Sequence, residues 1–300
     1  MSNVVKHLYR TVIPESIRYK ILEARKKRRV EKQKKEILSY YDTLPKDRLT
    51  PEVREVVDYL RKNPLHVFPY AFQKEFDSAK VRVFTAESGL RYVMHEGKKL
   101  YFKRNYPEEM IRNSYAFLQC EQHPDSPHRY LTDSFAIKEG SIVADVGAAE
   151  GIFPLAHIEK IRHLYFFEPD ADWVEVLKET YKPWAAKVTI INKFVSANND
   201  ESHVSLDAYF KDKQQPDFLK VDVDGAETDL LEGSRNILKN SEKLNLALCT
   251  YHRQQDEQQF GELLKSYHFS ISTSKGYMLF FFEAGFDAPY LRRGLIRATK

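Results

Sequence analysis

The chain has 300 residues, of which 42% are hydrophobic and 13% aromatic, enough for one sizeable domain with an appendage. Its two cysteines, Cys120 and Cys249, fall in a predicted helix and a predicted strand, so we expect both to be reduced and buried rather than paired in a disulfide or at a metal. The net charge is only +4, and no apolar segment has the length of a membrane span or the pattern of a signal peptide, which favours a cytoplasmic protein.

Much of the positive charge lies near the start of the chain. Ten lysines and arginines fall between Arg18 and Lys35, against two glutamates. Two interpretations stay open: a solvated or partly disordered helix, or a surface that binds an anionic membrane or a polyanionic substrate. We therefore assign residues 1–79 to a basic helical region, with peripheral contact to the inner face of the membrane through residues 1–45 as one hypothesis.

A helix and a small sheet are predicted next. Thr50 is the expected N-cap of a helix that begins at Pro51 and ends near Lys62. Short apolar segments around glycine turns then predict an antiparallel meander, with these strands: Val81–Thr85, Leu90–His95 and Lys99–Lys103.

A proline-broken loop leads into the remainder of the chain. It runs from His123 to Tyr130, after a predicted helix from Pro107 to about Gln122. The loop is either a lid over a bound cofactor or a surface connector. Meander, helix and loop together form a predicted segment, residues 80–135, that precedes a larger domain at 136–300.

Residues 143 to 151, Val-Ala-Asp-Val-Gly-Ala-Ala-Glu-Gly, predict a strand, a tight turn and a helix start. The dinucleotide fingerprint has glycine where this chain has Asp145. A carboxylate there would repel a pyrophosphate but accept hydrogen bonds from an ammonium group. The motif therefore favours S-adenosylmethionine (SAM) over NAD, with Asp145, Gly147, Ala148 and Gly151 as cofactor-binding residues.

A second acidic residue follows at a characteristic distance. The apolar run Leu164–Phe167 ends at Glu168, which is 23 positions after Asp145. An acid at the tip of the second strand, about 20 residues downstream, is where a carboxylate holds a ribose diol. The alternative is that Glu168 only caps the next helix, a role that better fits Asp170 before the predicted helix Ala171–Tyr181.

Two further strand ends carry polar residues. Asp222 follows a short strand that starts at Asp217 and precedes a helix beginning near Ala226. The strand Leu244–Cys249 is followed closely by His252. Because open parallel sheets bind ligands beyond the carboxyl ends of their strands, these side chains are predicted to share one crevice with the cofactor.

With these residues in hand, the chain resembles the FkbM family of SAM-dependent methyltransferases. The resemblance covers roughly residues 80–300 and rests on VADVGAAEG, LYFFEPD, SLDAYF, DFLKVDVDGAETDLLEG and CTYH, with Asp224 where the family usually has Glu. It implies an α/β fold of the Rossmann-like class I type, with a seven-stranded, mostly parallel sheet, helices on both faces, and a methyltransferase domain at 136–300.

The last hundred residues are expected to complete this sheet. The pattern predicts a helix and then two strand-like segments: Asp256–Tyr267, Phe269–Thr273 and Tyr277–Glu283. The resemblance gives the antiparallel closing strand to Leu291–Ala298. Its arginines, Arg292, Arg293 and Arg297, are expected either to touch an acidic substrate or to keep an edge strand soluble.

The leading functional hypothesis is O-methylation of a sugar hydroxyl in a surface polysaccharide, another glycan or a lipid-linked oligosaccharide. His252, with a reference pKa of ~6.5, suits a general base near neutral pH. Asp222 is predicted to orient His252 or to position the acceptor, and to contact the cofactor. The same pair could instead bind a divalent metal, but two ligands are too few to predict a metal site.

Two other classes of function are weighed against it. A methyltransferase for another small molecule stays open, whereas one for nucleic acid is disfavoured, because the turn after Asp222 lacks the Asn/Asp-Pro-Pro-aromatic sequence and its acids would repel phosphates. A non-catalytic, Rossmann-like nucleotide-binding protein is disfavoured by Asp145. Equilibrium binding of SAM against NAD separates the last alternative from the first.

Overall fold

A computed structural model describes residues 15–282 and 286–300 of the chain. The first part of the predicted basic region and Glu283 lie outside these residues. The chain divides into two compact units. One comprises the described residues of Met1–Pro69 and Leu279–Leu291, and the other comprises Tyr70–Met278 and Arg292–Lys300. The division into segments 1–79, 80–135 and 136–300 stays a prediction.

The first unit contains two helices, α1 (Glu15–Thr43) and α2 (Pro51–Lys62). The Oγ1 of Thr50 accepts a hydrogen bond from the amide of Val53 at 3.3 Å, which confirms the predicted N-cap. Ile37 of α1 is fully buried, whereas no side chain from residue 24 to residue 36 is. Among the described helices, none combines the length and the apolar character needed to cross a bilayer.

The second unit begins with the antiparallel meander. Its strands are β1 (Phe84–Thr85), β2 (Arg91–His95) and β3 (Lys98–Phe102), paired in that order. Helix α3 (Glu108–Glu121) follows. Both predictions for this part of the chain are confirmed, with strand bounds that differ by one to three residues at an end.

A seven-stranded sheet forms the core of the second unit, in the order β11-β12-β10-β9-β4-β5-β6. The strands from β6 to β10 in this order are parallel, and β12 is antiparallel to both neighbours. The twelve strands are completed by β4 (Ser141–Val146), β5 (Ile161–Phe167), β6 (Val188–Ile191), β7 (Phe194–Val195), β8 (His203–Val204), β9 (Phe218–Val221), β10 (Asn245–Cys249), β11 (Ser270–Thr273) and β12 (Leu295–Thr299).

Helices connect these strands and cover the sheet, which confirms the predicted α/β fold. They are α4 (Ile152–Leu155), α5 (Ala171–Thr180), α6 (Leu206–Tyr209), α7 (Glu227–Glu232), α8 (Arg235–Asn240) and α9 (Asp256–Ser266). Every residue of β4 is buried, as expected for a central parallel strand. Asp170 caps α5 by accepting from the amide of Asp172 at 2.8 Å, as predicted.

Two predictions for the C-terminal part are wrong. In its described residues, the segment 277–283 is not a strand of the sheet, and only Met278 forms a bridge, to Arg292. Strand β12 lies between β10 and β11, so its Arg297 is not on an edge. The Nε of Arg297 donates to the carbonyl of Tyr130 at 2.9 Å. These arginines therefore hold backbone carbonyls inside the unit.

Candidate active site

The carboxylate at the tip of β4 is paired inside the protein. Asp145 is fully buried, and its Oδ1 lies 3.0 Å from the Nζ of Lys220 in the neighbouring strand β9. The same ammonium donates to the carbonyl of Gly147 at 2.6 Å. Burial raises the pKa of Asp145, and the Lys220 charge offsets part of that rise. Asp145 thus already contacts an internal ammonium group, and its contact with the ammonium of SAM stays a prediction.

The glycines after β4 allow close approach, but to other parts of the protein. Gly147 and Gly151 both have φ of 74°. A Cβ on Gly147 would lie 1.8 Å from the carbonyl oxygen of Asp222, and one on Gly151 would lie 2.6 Å from the Cδ2 of Leu177. Ala148 is buried between them. Approach of a ligand is therefore not what excludes a side chain at these two positions, which corrects our interpretation of the motif.

Glu168 joins the tip of β5 to this glycine loop. Its Oε2 accepts from the amide of Ala149 at 2.8 Å, and its Oε1 accepts from the amide of Asp170 at 2.9 Å. Only 5% of Glu168 is exposed, and burial raises the pKa of its carboxyl. Both oxygens retain lone pairs for further donors. The residue lies where the ribose of SAM was predicted, and that role stays a prediction.

Asp222, just after β9, is held by two tyrosines. The hydroxyl of Tyr130 donates to its Oδ2 and the hydroxyl of Tyr251 to its Oδ1, both at 2.9 Å. Burial would raise the pKa of Asp222, but His128, Lys220 and the neighbouring His252 together hold it well below its usual range. Asp222 is therefore a fixed, ionised carboxylate at the carboxyl edge of the sheet.

His252 is buried among carboxylates. Its Nδ1 lies 2.9 Å from the Oε1 of Glu227, and its Nε2 lies 3.6 Å from Asp224 and 3.8 Å from Asp222. Glu227 also accepts from the amide of Val223 at 3.1 Å, so it fixes both the ring and the loop after β9. The sequence prediction that His252 and Asp222 lie together at one edge is consistent with these positions.

The electrostatic setting of His252 differs from the one we expected. Burial lowers its pKa, but the neighbouring carboxylates outweigh burial and raise the pKa to about 10. The ring is then an imidazolium at neutral pH, and an imidazolium cannot accept a proton. The environment therefore argues against a general base poised near pH 7, as the reference value had implied.

The loop from His123 to Tyr130 is not a surface connector throughout. Its residues Ser126, His128 and Tyr130 are all buried. The Nε2 of His128 lies 3.5 Å from the Oδ2 of Asp222 and 3.7 Å from the Sγ of Cys249. Cys249 is fully buried as predicted, and burial raises the pKa of its thiol. The loop thus contributes side chains to the cluster around Asp222.

Sequence reasoning missed several members of this cluster. Lys220 interrupts an otherwise apolar strand, and a buried lysine is rare enough to have been a signal for an internal partner. Glu227 and Tyr251 lie within the motifs that carry the family resemblance, yet no spacing rule assigned them a contact. Cys249 was assigned only to the core.

A comparison with protein families and solved structures follows from this geometry. Residues 113–287 match the model of the methyltransferase FkbM domain. No curated relative matches the sequence. Among solved structures, a methyltransferase FkbM from Methylobacillus flagellatus KT is similar with 17% identity and a TM-score of 0.45, over 64% of this chain and 53% of that one.

Two other solved structures are similar at lower scores. The precorrin-6y C5,15-methyltransferase of Geobacter metallireducens GS-15 has 12% identity and a TM-score of 0.39, over 55% of this chain and 84% of that one. TrmK of M. capricolum, solved with S-adenosyl-homocysteine, has 14% identity and a TM-score of 0.35, over 57% and 69%. The chain spans about half the length of the Methylobacillus flagellatus structure.

Proposed function

Because this chain belongs to the FkbM family of methyltransferases, we propose that it transfers the methyl group of SAM to a sugar hydroxyl of a glycan or lipid-linked oligosaccharide. One observation carries the proposal: the Asp222 carboxylate is fixed by two tyrosine hydroxyls at a strand tip, beside the glycine loop. An ionised carboxylate in that position can accept the hydrogen bond of an acceptor hydroxyl and align its oxygen for attack.

The cofactor belongs, in this proposal, on the other side of the glycine loop. Glu168 would accept the two ribose hydroxyls, and the loop residues Gly147, Ala148 and Gly151 would line the nucleoside. Asp145 and Asp222 would supply negative charge near the ammonium and sulfonium groups. Family membership implies the use of SAM, whereas this assignment of residues is ours.

Methyl transfer breaks the C–S bond of the cofactor, forms a C–O bond and releases the hydroxyl proton. Asp222 and His252 are the proposed catalytic residues, since both line the edge where the acceptor would lie. A base role for His252 requires loss of a proton before the reaction. It therefore implies turnover that keeps rising above neutral pH, towards the pKa of about 10.

A nearby cavity has the size of a sugar unit. It encloses about 430 Å³ and is lined in part by Arg129, Phe153, His123 and Gln122. Ligand cavities of a few hundred Å³ with apolar walls and a few polar groups are usual for small molecules. The ring of Phe153 lies 5.1 Å from that of Tyr130, which places this wall next to the residue that binds Asp222.

The test is methyl transfer from labelled SAM to candidate glycans across pH. We expect label in an alkali-stable sugar ether, and we expect His252→Ala to lower turnover by ~10²–10⁴-fold with SAM affinity retained. His163→Ala, a half-buried histidine of β5, is the matched control. Near-normal turnover of the His252 variant would remove it from the chemistry, and label in RNA or small phenols but not glycans would overturn the acceptor class.

The exposed basic stretch of α1 supports a second part of the proposal, contact with an anionic membrane that carries the acceptor. Arg25–Arg29 is an uninterrupted basic run, and all five side chains are exposed. Each basic residue near such a surface contributes ~1 kcal/mol. Replacing all five with Gln should abolish sedimentation with anionic vesicles and spare SAM binding. Equal sedimentation of both proteins, or binding to neutral vesicles, would contradict the membrane contact.

A further inference from the structure

Three potential metal ligands meet at the edge of the sheet from distant parts of the chain. His128 comes from the loop before β4, Asp222 follows β9, and Cys249 ends β10. Their ligand atoms all lie within 4.8 Å of one another. The sequence had paired Asp222 only with His252, and it had placed Cys249 in the core. The structure brings one nitrogen, one oxygen and one sulfur atom to a common point.

The spacing of these atoms fits a shared tetrahedral ion better than direct hydrogen bonds. His128 Nε2 is 3.5 Å from Asp222 Oδ2 and 3.7 Å from Cys249 Sγ. Zinc bonds of about 2.0–2.3 Å at a tetrahedral angle separate neighbouring ligand atoms by roughly 3.3–3.6 Å. A direct N–H···O hydrogen bond brings the two atoms to about 2.9 Å.

Charge balance supports an ion of two positive charges. Asp222 is ionised, and a metal-bound cysteine is a thiolate, so the two supply two negative charges. The Lys220 ammonium faces the same cluster, but it is paired with Asp145 at 3.0 Å. A buried divalent ion would leave the whole group close to neutral, which is the condition for burying charges at acceptable cost.

The surroundings of the cluster resemble those of metal ligands elsewhere. Both oxygens of Asp222 accept tyrosine hydroxyls at 2.9 Å, and such outer hydrogen bonds orient ligating carboxylates. Thiolate, imidazole and carboxylate together favour zinc over magnesium or calcium. Three protein ligands leave one tetrahedral position open, as in catalytic zinc sites.

We propose that His128, Asp222 and Cys249 bind a zinc ion whose open position receives the acceptor hydroxyl. The ion would lower the pKa of that hydroxyl, so that its proton leaves to solvent as the C–O bond forms. The second half of this proposal rests on the proposed function, whereas metal binding does not.

Cobalt is the probe, because a cobalt–thiolate bond gives a charge-transfer band in the near ultraviolet. Full-length protein titrated with Co²⁺ should bind one equivalent with this band, and zinc should displace it. Cys249→Ser should lose the band and bind at least tenfold more weakly. Cys120→Ser, which removes the other buried cysteine, should keep both. His128→Gln, checked by circular dichroism for folding, provides a second variant expected to weaken binding.

The outcomes separate the two proposals. Wild-type protein that binds no stoichiometric Co²⁺, or binds it without the thiolate band, overturns the zinc site. Activity that survives chelation of all metal also overturns it and leaves the methyltransferase proposal standing. Stoichiometric zinc with the thiolate band, in a protein that methylates no glycan, supports the site and overturns the acceptor class.

Discussion

The two sides of the candidate site are built in different ways. On the cofactor side, Glu168 accepts from two backbone amides, 19 and 2 residues away. On the acceptor side, Asp222 accepts from the side chains of Tyr130 and Tyr251, 92 and 29 residues away. The first side is made by local backbone that a short motif can encode. The second is made by side chains that only the folded sheet brings together.

The largest expected effect tests the acceptor side. Asp222→Asn keeps the size of the side chain and at least one tyrosine hydrogen bond but removes the charge. We expect turnover to fall by ~10²–10⁴-fold while SAM affinity changes by less than tenfold. Asp229→Asn, an exposed carboxylate on α7, is the control. Calorimetric SAM binding and labelled methyl transfer measure the two quantities. A large loss of SAM affinity would erase the distinction between the sides.

The cofactor side should show the opposite pattern. Glu168→Ala removes an acceptor that could make two charge-assisted bonds to ribose, each worth ~1.5–3 kcal/mol, so we expect SAM affinity to fall by about 10²-fold or more. Asp172→Asn, exposed in the first turn of α5, should bind normally. Calorimetry decides the matter, with thermal unfolding as a check on the fold. An unchanged dissociation constant for SAM would exclude Glu168 from the site.

A smaller effect should depend on pH. Burial raises the pKa of Glu150, in the glycine loop, from 4.5 to about 8. The folded protein then binds more protons than the unfolded chain between these values, so this residue lowers stability as pH rises through the window, by about 1 kcal/mol per pH unit. Glu150→Gln should remove that slope, whereas Glu139→Gln, fully solvent-facing, should not. Denaturant unfolding at pH 5 and pH 8 measures the difference, and parallel slopes would contradict it.

Local signals predicted most of the fold correctly. The caps Thr50 and Asp170 and the apolar strands before Asp145 and Glu168 each depend on a few adjacent residues, and all are confirmed. The segment after Tyr277 failed because its apolar run matches a strand pattern locally. Its Leu279 amide instead donates to the carbonyl of Val67, a partner that no local pattern identifies.

The site was predictable only in outline for a related reason. Strand ends placed Asp222 and His252 at one edge, because parallel topology alone requires it. The charge state of His252 depends on Glu227 and Asp224, whose directions are set by a loop with φ of 50° at Asp224. The second role now assigned to Cys249 depends on His128, 121 residues earlier. Neither contact can be predicted from residue spacing.

The fit of Gly147 against the Asp222 carbonyl has a thermodynamic consequence. With no room for even a methyl group, the loop that would receive SAM and the loop that would receive the acceptor cannot shift independently. Any displacement caused by one ligand is felt by the other, and such linkage is reciprocal. The factor by which SAM changes acceptor affinity must equal the factor by which the acceptor changes SAM affinity. The order in which the two ligands arrive then alters the path to the ternary complex but not its total free energy.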